Sequence, residues 1–298
     1  MVNEKGTKQG NIEKKKQKVE YLLKEIKRYG DERKVGNMAL EVRQKIYETV
    51  VVPTLFANIE TWSKISETEI KELEKMQSKL LRGMYELPQC TPYWGILAET
   101  GIWPVECKIE YKKIMLLQNI LQADEKRLVK EIIEDQLRAP YGSCWAKSIL
   151  EICGKYELEI DEVRSWNKRT LKKEIKERIN KYIDKKVEEL KQGMKKLRFI
   201  SPDNRNNYIK ELSTRDATTI MKTRLNMLDL KANFRGKYNN ERCDLCEKEE
   251  DNTEHLFKCE KLMKLLKHTQ TVESLESPSK DLAEFIKSAM LIKCCVRL

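Results

Sequence analysis

The chain is poor in the residue types that build most catalytic sites. It contains only two histidines in 298 residues, and aromatic residues make up only 7% of it. It has no glycine-rich phosphate-binding loop, no Gly-x-Ser-x-Gly turn and no Asp-Asp pair of the kind that holds two magnesium ions. The sequence therefore offers no candidate active site, and we expect a protein that is not an enzyme.

The chain also lacks long apolar runs. None approaches the roughly 20 apolar residues that a membrane-spanning helix needs, and residues 1–10 are too polar for the core of a signal peptide. The nine cysteines are odd in number and form no evident pairing framework, which is typical of reduced thiols. We therefore expect a nuclear or cytoplasmic protein with neither a membrane partner nor a small-molecule substrate.

Charge, in contrast, is abundant and unbalanced. Charged residues make up 36% of the chain, and the net charge is +11. Such an excess favours polyanionic partners, because each cation placed against a phosphate releases condensed counterions. The same excess also keeps proteins soluble without any specific partner. The whole-chain charge is consistent with both interpretations.

Apolar residues recur at helical spacing along most of the chain, which predicts a mainly α protein. Ser66-Glu-Thr-Glu69 is a capping box and predicts the start of a helix. Pro53 is expected to kink or end the helix that precedes it. Between residues 167 and 198, apolar residues recur at threes and fours, and this pattern predicts one long helix.

The long helix allows two functional interpretations. Its apolar stripe, from Leu171 to Leu197, suits packing against a partner helix or a second copy of the chain. Its other faces are rich in lysine and arginine. A solvated linker helix and a helix that follows a nucleic-acid backbone both have this character.

Three cysteines and one of the two histidines fall close together, in Cys243-Asp-Leu-Cys246 and His255-Leu-Phe-Lys-Cys259. A Cys-x-x-Cys pair binds a metal ion from a tight turn, and residues four apart share one face of a helix. Three thiolates and one imidazole complete a tetrahedral Zn²⁺ shell and leave no position open for water. This pattern predicts a structural zinc site, and chance clustering in a reducing compartment is the alternative.

The segment that leads into this cluster, from Arg215 to Arg242, is called the basic lead-in below. It mixes cations with aromatic residues, which can contact phosphates and stack on bases. The same residues can instead stabilise the fold around the four ligands, residues 243–259, which are called the metal module below. Three further cations fall on or near one face of the helix predicted to start at Ser66. The candidate nucleic-acid contacts are therefore Lys75, Lys79, Arg82, Arg215, Lys222, Arg224, Lys231, Phe234, Arg235, Lys237 and Tyr238.

Several segments, in this order, resemble the C-terminal portion of a non-LTR (LINE-type) retrotransposon reverse transcriptase. The first similar segments are Lys45–Phe56 with Glu60-Thr-Trp62, then Leu73–Arg82 and Leu87-Pro-Gln-Cys-Thr-Pro92. Leu97-Ala-Glu-Thr-Gly-Ile-Trp-Pro104 follows, and then Arg224-Leu-Asn-Met with the cysteine–histidine cluster. The resemblance extends over residues 14–259. One departure is that three residues, and not the family's commoner four, separate His255 from Cys259.

The resemblance implies a division of the chain into four parts. Residues 1–36 would form an N-terminal helix at the palm-to-thumb junction, and residues 37–140 a thumb-like helical bundle. Residues 141–212 would form a connector with the long basic helix. Residues 213–298 would hold the basic lead-in, the zinc knuckle and a C-terminal helix.

The resemblance also implies a function, which is to hold RNA or DNA without polymerising it. In the family, the catalytic aspartates lie in the fingers and palm, N-terminal to the segments matched here, and nothing in the chain matches them. We therefore expect a non-catalytic nucleic-acid-binding fragment. The alternative is a helical scaffold for protein partners in which the zinc module is only structural.

Overall fold

Helix is the dominant regular structure of the protein, as predicted. The computed structural model describes residues 8–32, 39–63, 65–142, 144–200, 207–234, 236–266 and 268–297. Within these ranges there is no β-strand, and one isolated antiparallel bridge joins Arg242 to Glu250. None of the helices in the described ranges combines the length and the apolar character that a membrane span requires.

Fifteen α-helices follow one another along the described part of the chain. In the N-terminal half they are α1 Lys8–Glu32, α2 Leu40–Ile46, α3 Val52–Leu55, α4 Glu67–Met84, α5 Tyr93–Thr100, α6 Val105–Leu121 and α7 Leu128–Arg138. In the C-terminal half they are α8 Trp145–Lys155, α9 Ile160–Ser165, α10 Lys168–Gly193, α11 Asn207–Glu211, α12 Thr214–Arg224, α13 Thr253–Leu256, α14 Glu260–Leu265 and α15 Lys280–Arg297.

The chain divides into two compact units, each built from separate stretches of sequence. The first unit comprises Met1–Leu22, Tyr47–Ser78 and Trp103–Lys186, and the second comprises Leu23–Ile46, Lys79–Ile102 and Val187–Leu298. The four consecutive parts predicted from the sequence stay a prediction.

Local sequence signals set several helix boundaries in the first unit. The backbone N–H of Ser66 donates to Glu69 Oε2 at 2.7 Å, and Ser66 Oγ accepts from the backbone N–H of Glu69 at 3.2 Å. This reciprocal pair confirms the predicted capping box at the start of α4. Pro53 does not end the helical run. A π-helical turn, Tyr47–Val51, precedes it and places the proline in the first turn of α3, where its missing N–H costs little.

The predicted long helix is α10, which has 26 residues and measures about 39 Å. It ends at Gly193, and a 3₁₀ turn, Lys195–Leu197, replaces the predicted last turn. Most of its apolar stripe is buried by the chain itself, because Leu171, Ile175 and Ile179 have no exposed surface, whereas Met194, just after the helix, is 44% exposed. The binding of a partner helix or a second copy through this stripe stays a prediction, and the buried residues are not available for that contact.

A buried ion pair holds the second unit together. Arg224, at the end of α12, is 1% exposed, and its Nε donates to Glu99 Oε1 of α5 at 2.6 Å. The hydroxyl of Tyr208 donates to the other oxygen of Glu99, and Arg224 Nη1 donates to the carbonyl of Leu275. Burial lowers the pKa of Arg224, but the Glu99 carboxylate outweighs this effect, so the net shift is upward and the guanidinium stays charged. The guanidinium thus joins α5, α12 and the segment before α15.

Loss of either charge of this pair leaves the other one buried without its partner. We expect Arg224→Met to lower the free energy of unfolding by about 3–5 kcal/mol, measured by urea denaturation. Arg215→Met is the control, because Arg215 lies exposed on the same helix and should change stability by only about 0.5 kcal/mol. The double change Glu99→Leu with Arg224→Met should recover part of the loss. Equal stability of Arg224→Met and the control would contradict this role of the pair.

Candidate metal centre

The structure brings the four predicted ligands together in the second unit. One ligand atom from each of Cys243, Cys246, His255 and Cys259 lies within 4.8 Å of all the others. Cys243 Sγ is 4.0 Å from Cys259 Sγ, and Cys246 Sγ is 3.2 Å from His255 Nε2. Two sulfurs bound tetrahedrally to one zinc ion lie about 3.8 Å apart, given Zn–S bonds of about 2.3 Å. The group, called the Cys3His cluster below, therefore has the size of a single-ion site.

A tight turn positions the first two cysteines. The backbone N–H of Glu247 donates to the Cys243 carbonyl at 2.8 Å, and Glu247 has a left-handed φ of 60°. The N–H of Cys243 donates to the Glu249 carbonyl at 2.9 Å. These bonds turn the chain back on itself, so that Cys243 and Cys246 present their sulfurs to one point.

A helical turn positions the other two ligands, as the sequence predicted. Asn252 caps α13 by accepting a hydrogen bond from the N–H of His255 at 2.9 Å. The N–H of Cys259 donates to the His255 carbonyl at 2.9 Å, which is the i, i+4 bond of a helix. The spacing of three residues between the two ligands, which differs from the resembled family, therefore still places them on one face.

The imidazole of His255 is held in one orientation by a carboxylate. Its Nδ1 lies 3.0 Å from Glu249 Oε2, and its Nε2 faces the sulfur of Cys246. A proton on Nδ1, donated to Glu249, leaves Nε2 with a free lone pair. This arrangement of carboxylate, histidine and open lone pair is the one that metal-binding histidines adopt.

The three thiols differ in acidity. Burial raises the pKa of Cys243, but the backbone N–H groups of Cys246 and Leu245 and the ammonium of Lys293 outweigh it, so the net shift is downward. The pKa of Cys246 is also lowered overall, by N–H groups that outweigh burial. Burial and then the charges of the other two sulfurs raise the pKa of Cys259 to about 11. A divalent cation at the centre would relieve this repulsion between sulfurs.

A lysine from the last helix contacts the cluster from outside. Lys293 of α15 is buried, and its Nζ donates to Cys243 Sγ at 3.2 Å and to the carboxylate of Asp251. Arg297 Nη2 donates to the same carboxylate at 2.7 Å. Lys293 was not among the predicted site residues. The available signal was its spacing, since it continues the buried stripe of Leu282, Ile286 and Ala289 at intervals of three and four.

Apolar packing joins the metal module to α15. Phe257 stacks on Phe285 with ring centroids 5.3 Å apart. Both belong to one buried cluster that also contains Cys243, Cys259 and side chains of α14 and α15. The module is therefore part of the core of the second unit.

The predicted nucleic-acid contacts on α4 lie at or near the surface. Lys75 is exposed and pairs with Glu72 at 2.8 Å. Lys79 is exposed as well, whereas Arg82 is half-buried and donates two hydrogen bonds to the Thr91 carbonyl, at 3.1 Å and 2.6 Å. These three residues stay predicted contacts, although Arg82 already has a structural partner.

The predicted contacts in the basic lead-in have mixed placements. Arg215 is exposed, and Lys222 and Phe234 are half-buried. Lys237 and Tyr238 both donate to the carboxylate of Asp229, and Lys237 Nζ lies 2.8 Å from Asp229 Oδ2. Arg235 lies outside the described residues.

Two lead-in residues do not suit the role predicted for them. Arg224 is buried in its ion pair with Glu99. Lys231 is 8% exposed, and its Nζ binds Asp244, which lies between the two cysteines of the turn. A buried cation with protein partners has no access to a phosphate. For these two residues the alternative interpretation, that they brace the fold around the metal module, fits the structure.

The fold and the site together define a mainly α-helical protein with a Cys/His cluster that can hold a metal ion. No family model matches the chain, and neither a curated protein nor a solved structure matches it. The resemblance to non-LTR reverse transcriptases therefore stays a hypothesis.

Removal of one ligand tests the cluster directly. We expect Cys243→Ser to lose stoichiometric metal and to loosen the second unit, because metal binding and folding share one free energy. Metal content by mass spectrometry and the thiolate-to-metal charge-transfer absorption of Co²⁺ measure this. Cys294→Ser is the control, since Cys294 is exposed and outside the cluster. Unchanged metal content in Cys243→Ser would exclude the site.

The contact between Lys293 of α15 and Cys243 leads to a separate prediction. We expect Lys293→Met to weaken metal affinity about 10–100-fold, the usual effect of losing a group that supports a ligand. Competition with a chromophoric chelator measures it. Lys287→Met is the matched control, because Lys287 is also on α15 and pairs with Asp216 at 2.6 Å, not with a ligand. If the two variants bind metal equally, the Lys293 contact has no influence on the site.

Proposed function

We propose that the Cys3His cluster binds one Zn²⁺ ion in a structural role. Three sulfurs and one imidazole nitrogen suit zinc and fill a tetrahedral shell, so no position remains for a reacting water. A bound zinc ion would cross-link the turn that holds Cys243 and Cys246, helix α13 and the start of α14. The chain's own residues orient the ligands: Glu249 holds His255, and Lys293 compensates the charge of Cys243.

We further propose that the protein binds nucleic acid without acting on it. The observation that carries this proposal is a cluster of exposed cations on α10. It consists of Lys168, Arg169, Lys172, Lys173 and Lys176, all exposed and within three turns of helix, and is called the α10 basic face below. At 100° per residue, these five side chains project within about 140° of the helix circumference.

The α10 basic face is only weakly neutralised by the chain. Lys173 Nζ lies 3.9 Å from Glu177 Oε1, and Lys168 Nζ donates to the side-chain oxygen of Asn119 at 3.3 Å. Exposed contacts of this kind contribute little energy, so phosphates can replace them. A row of cations along one face of a helix can follow the backbone of a nucleic acid.

The resemblance to the thumb and knuckle of non-LTR reverse transcriptases supports the same proposal. Two of the similar segments, Leu97–Pro104 and Arg224–Met227, are far apart in sequence, and Glu99 and Arg224 join them in a buried ion pair. A fragment of this family without the catalytic aspartates would hold RNA or DNA in the nucleus or cytoplasm and would not extend a primer.

A helical scaffold is the second candidate, and one observation favours it. Most of the α10 stripe predicted to bind a partner is buried, but α7 exposes Leu128, Val129 and Ile132, with 67%, 47% and 44% of their surface accessible. Adjacent exposed apolar residues of this kind often mark protein interfaces. In that case a protein partner would cover α7, and salt would have little effect on its binding.

Binding to a structured RNA and to a DNA duplex across a salt series tests the proposed function. We expect affinity to fall steeply with salt for the zinc-loaded chain. The double change Lys172→Gln with Lys176→Gln should reduce the slope of log K against log salt by about one for each phosphate that the variant no longer neutralises. Fluorescence anisotropy measures both quantities.

The control removes the same charge from elsewhere in the same unit. Lys126→Gln with Lys147→Gln changes two exposed lysines outside α10 and should leave the slope close to that of the unmodified chain. Equal slopes for the two double variants would show that net charge alone drives binding. No binding at low salt would exclude nucleic acid as the partner and favour the scaffold.

A further inference from the structure

A cavity in the second unit adjoins the metal module. It has a volume of about 730 Å³, and its wall includes Asn252, Thr253 and Glu254 from the start of α13. Other parts of the wall are Arg198 and Phe199, which follow α10, and Asn226, which lies in the Arg224–Met227 segment. Its volume is in the range of about 300–1,000 Å³ that small-ligand sites occupy.

Three side-chain amides line this wall, those of Asn226, Asn233 and Asn252. The amide of Asn252 is already bonded within the chain, because its Oδ1 accepts from the His255 N–H and its Nδ2 donates to Glu250. An amide carries a donor and an acceptor side by side, and this pair matches the edges of nucleobases. Asn233 Nδ2 donates to the Leu228 carbonyl at 3.0 Å, which fixes the amide in place. Among the described residues, Asn233 Oδ1 accepts no hydrogen bond, so it is available to a ligand in the cavity.

A flat cationic group lies at the same wall. The guanidinium of Arg198 is 4.9 Å from the ring centroid of Phe199, and half of the Arg198 side chain, 51%, is exposed. Phe199 in turn packs on the buried apolar cluster of the metal module. Guanidinium planes backed by an aromatic ring are surfaces on which unpaired bases stack.

The charges of the cavity wall balance, so the wall offers a phosphate no excess of cations. Lys196 and Arg198 line it together with Glu250 and Glu254, and Glu254 also pairs with Arg198. Carboxylates repel a phosphate group, but they accept hydrogen bonds from the amino groups of cytosine, adenine and guanine. A base that is stacked inside a duplex cannot enter a concave site, whereas a base of a single strand can.

We propose that this cavity receives one unpaired nucleobase of a single-stranded RNA or DNA, with Arg198 as the stacking surface and Asn233 as an edge contact. This inference rests on the proposed nucleic-acid binding and names the form of the ligand. It also links the cavity to the Cys3His cluster, because the backbone N–H of His255, a residue of the cluster, donates to the side-chain oxygen of Asn252 in the cavity wall.

Fluorescence of 2-aminopurine in a short single-stranded oligonucleotide tests the proposal, since stacking quenches this base analogue. With the full zinc-loaded chain, we expect quenching on binding and tighter binding of the single strand than of the same sequence in a duplex. Arg198→Gln and Asn233→Ala should each abolish the quenching and weaken single-strand binding about tenfold. Metal content and thermal stability, measured in parallel, verify that each variant is folded.

The matched control is Arg242→Gln, which removes one exposed cation from the same unit. The backbone of Arg242 is paired with that of Glu250 in the cavity wall, but Arg242 itself does not line the cavity. This control should keep the quenching. Single-strand binding without quenching, or equal effects of Arg198→Gln and Arg242→Gln, would overturn the cavity as a base site while leaving nucleic-acid binding in place. Absence of binding to any nucleic acid would overturn both proposals.

Discussion

The second unit depends on one buried carboxylate, that of Asp251. This side chain is almost inaccessible, yet it accepts hydrogen bonds from the backbone N–H of Lys231, from Lys293 Nζ and from Arg297 Nη2. A buried carboxylate is stable only when paired and hydrogen-bonded, so it requires the lead-in to the metal module and α15 to be in place together. Because Lys293 also contacts Cys243, the packing of the last helix and the geometry of the metal cluster depend on the same charge.

The ion pair between Glu99 and Arg224 has a comparable effect elsewhere in this unit. Two buried charges of opposite sign constrain which helices can be neighbours, because any other packing would leave one of them without a partner. The consequence for function is that several cations of the lead-in are committed to the fold. In the proposed function, phosphate binding therefore falls to exposed cations such as those of the α10 basic face.

The proposed functions place different demands on the two units. In the first unit, the α10 basic face is a row of exposed cations on a convex helix surface. Such a surface contacts phosphates and not bases, so binding to it depends on salt and not on sequence. In the second unit, the cavity beside the Cys3His cluster offers shape and amide groups, which suit recognition of a single base. A structural metal ion would contribute to the second by ordering α13, which forms part of the cavity wall.

Local patterns in the sequence were sufficient for the features that depend on neighbours in the chain. The helical content, the capping box of Ser66 and Glu69, the apolar stripe of α10 and the four clustered ligands were all predicted, because each rests on spacings of a few residues. The roles of Lys293 and Arg224 were not predicted. Lys293 and its partner Asp251 are 42 residues apart in the sequence, and Arg224 and Glu99 are 125 residues apart. Which cations are exposed and which are buried was decided only by the tertiary structure, since a lysine or arginine has the same local pattern whether it faces water or a buried carboxylate.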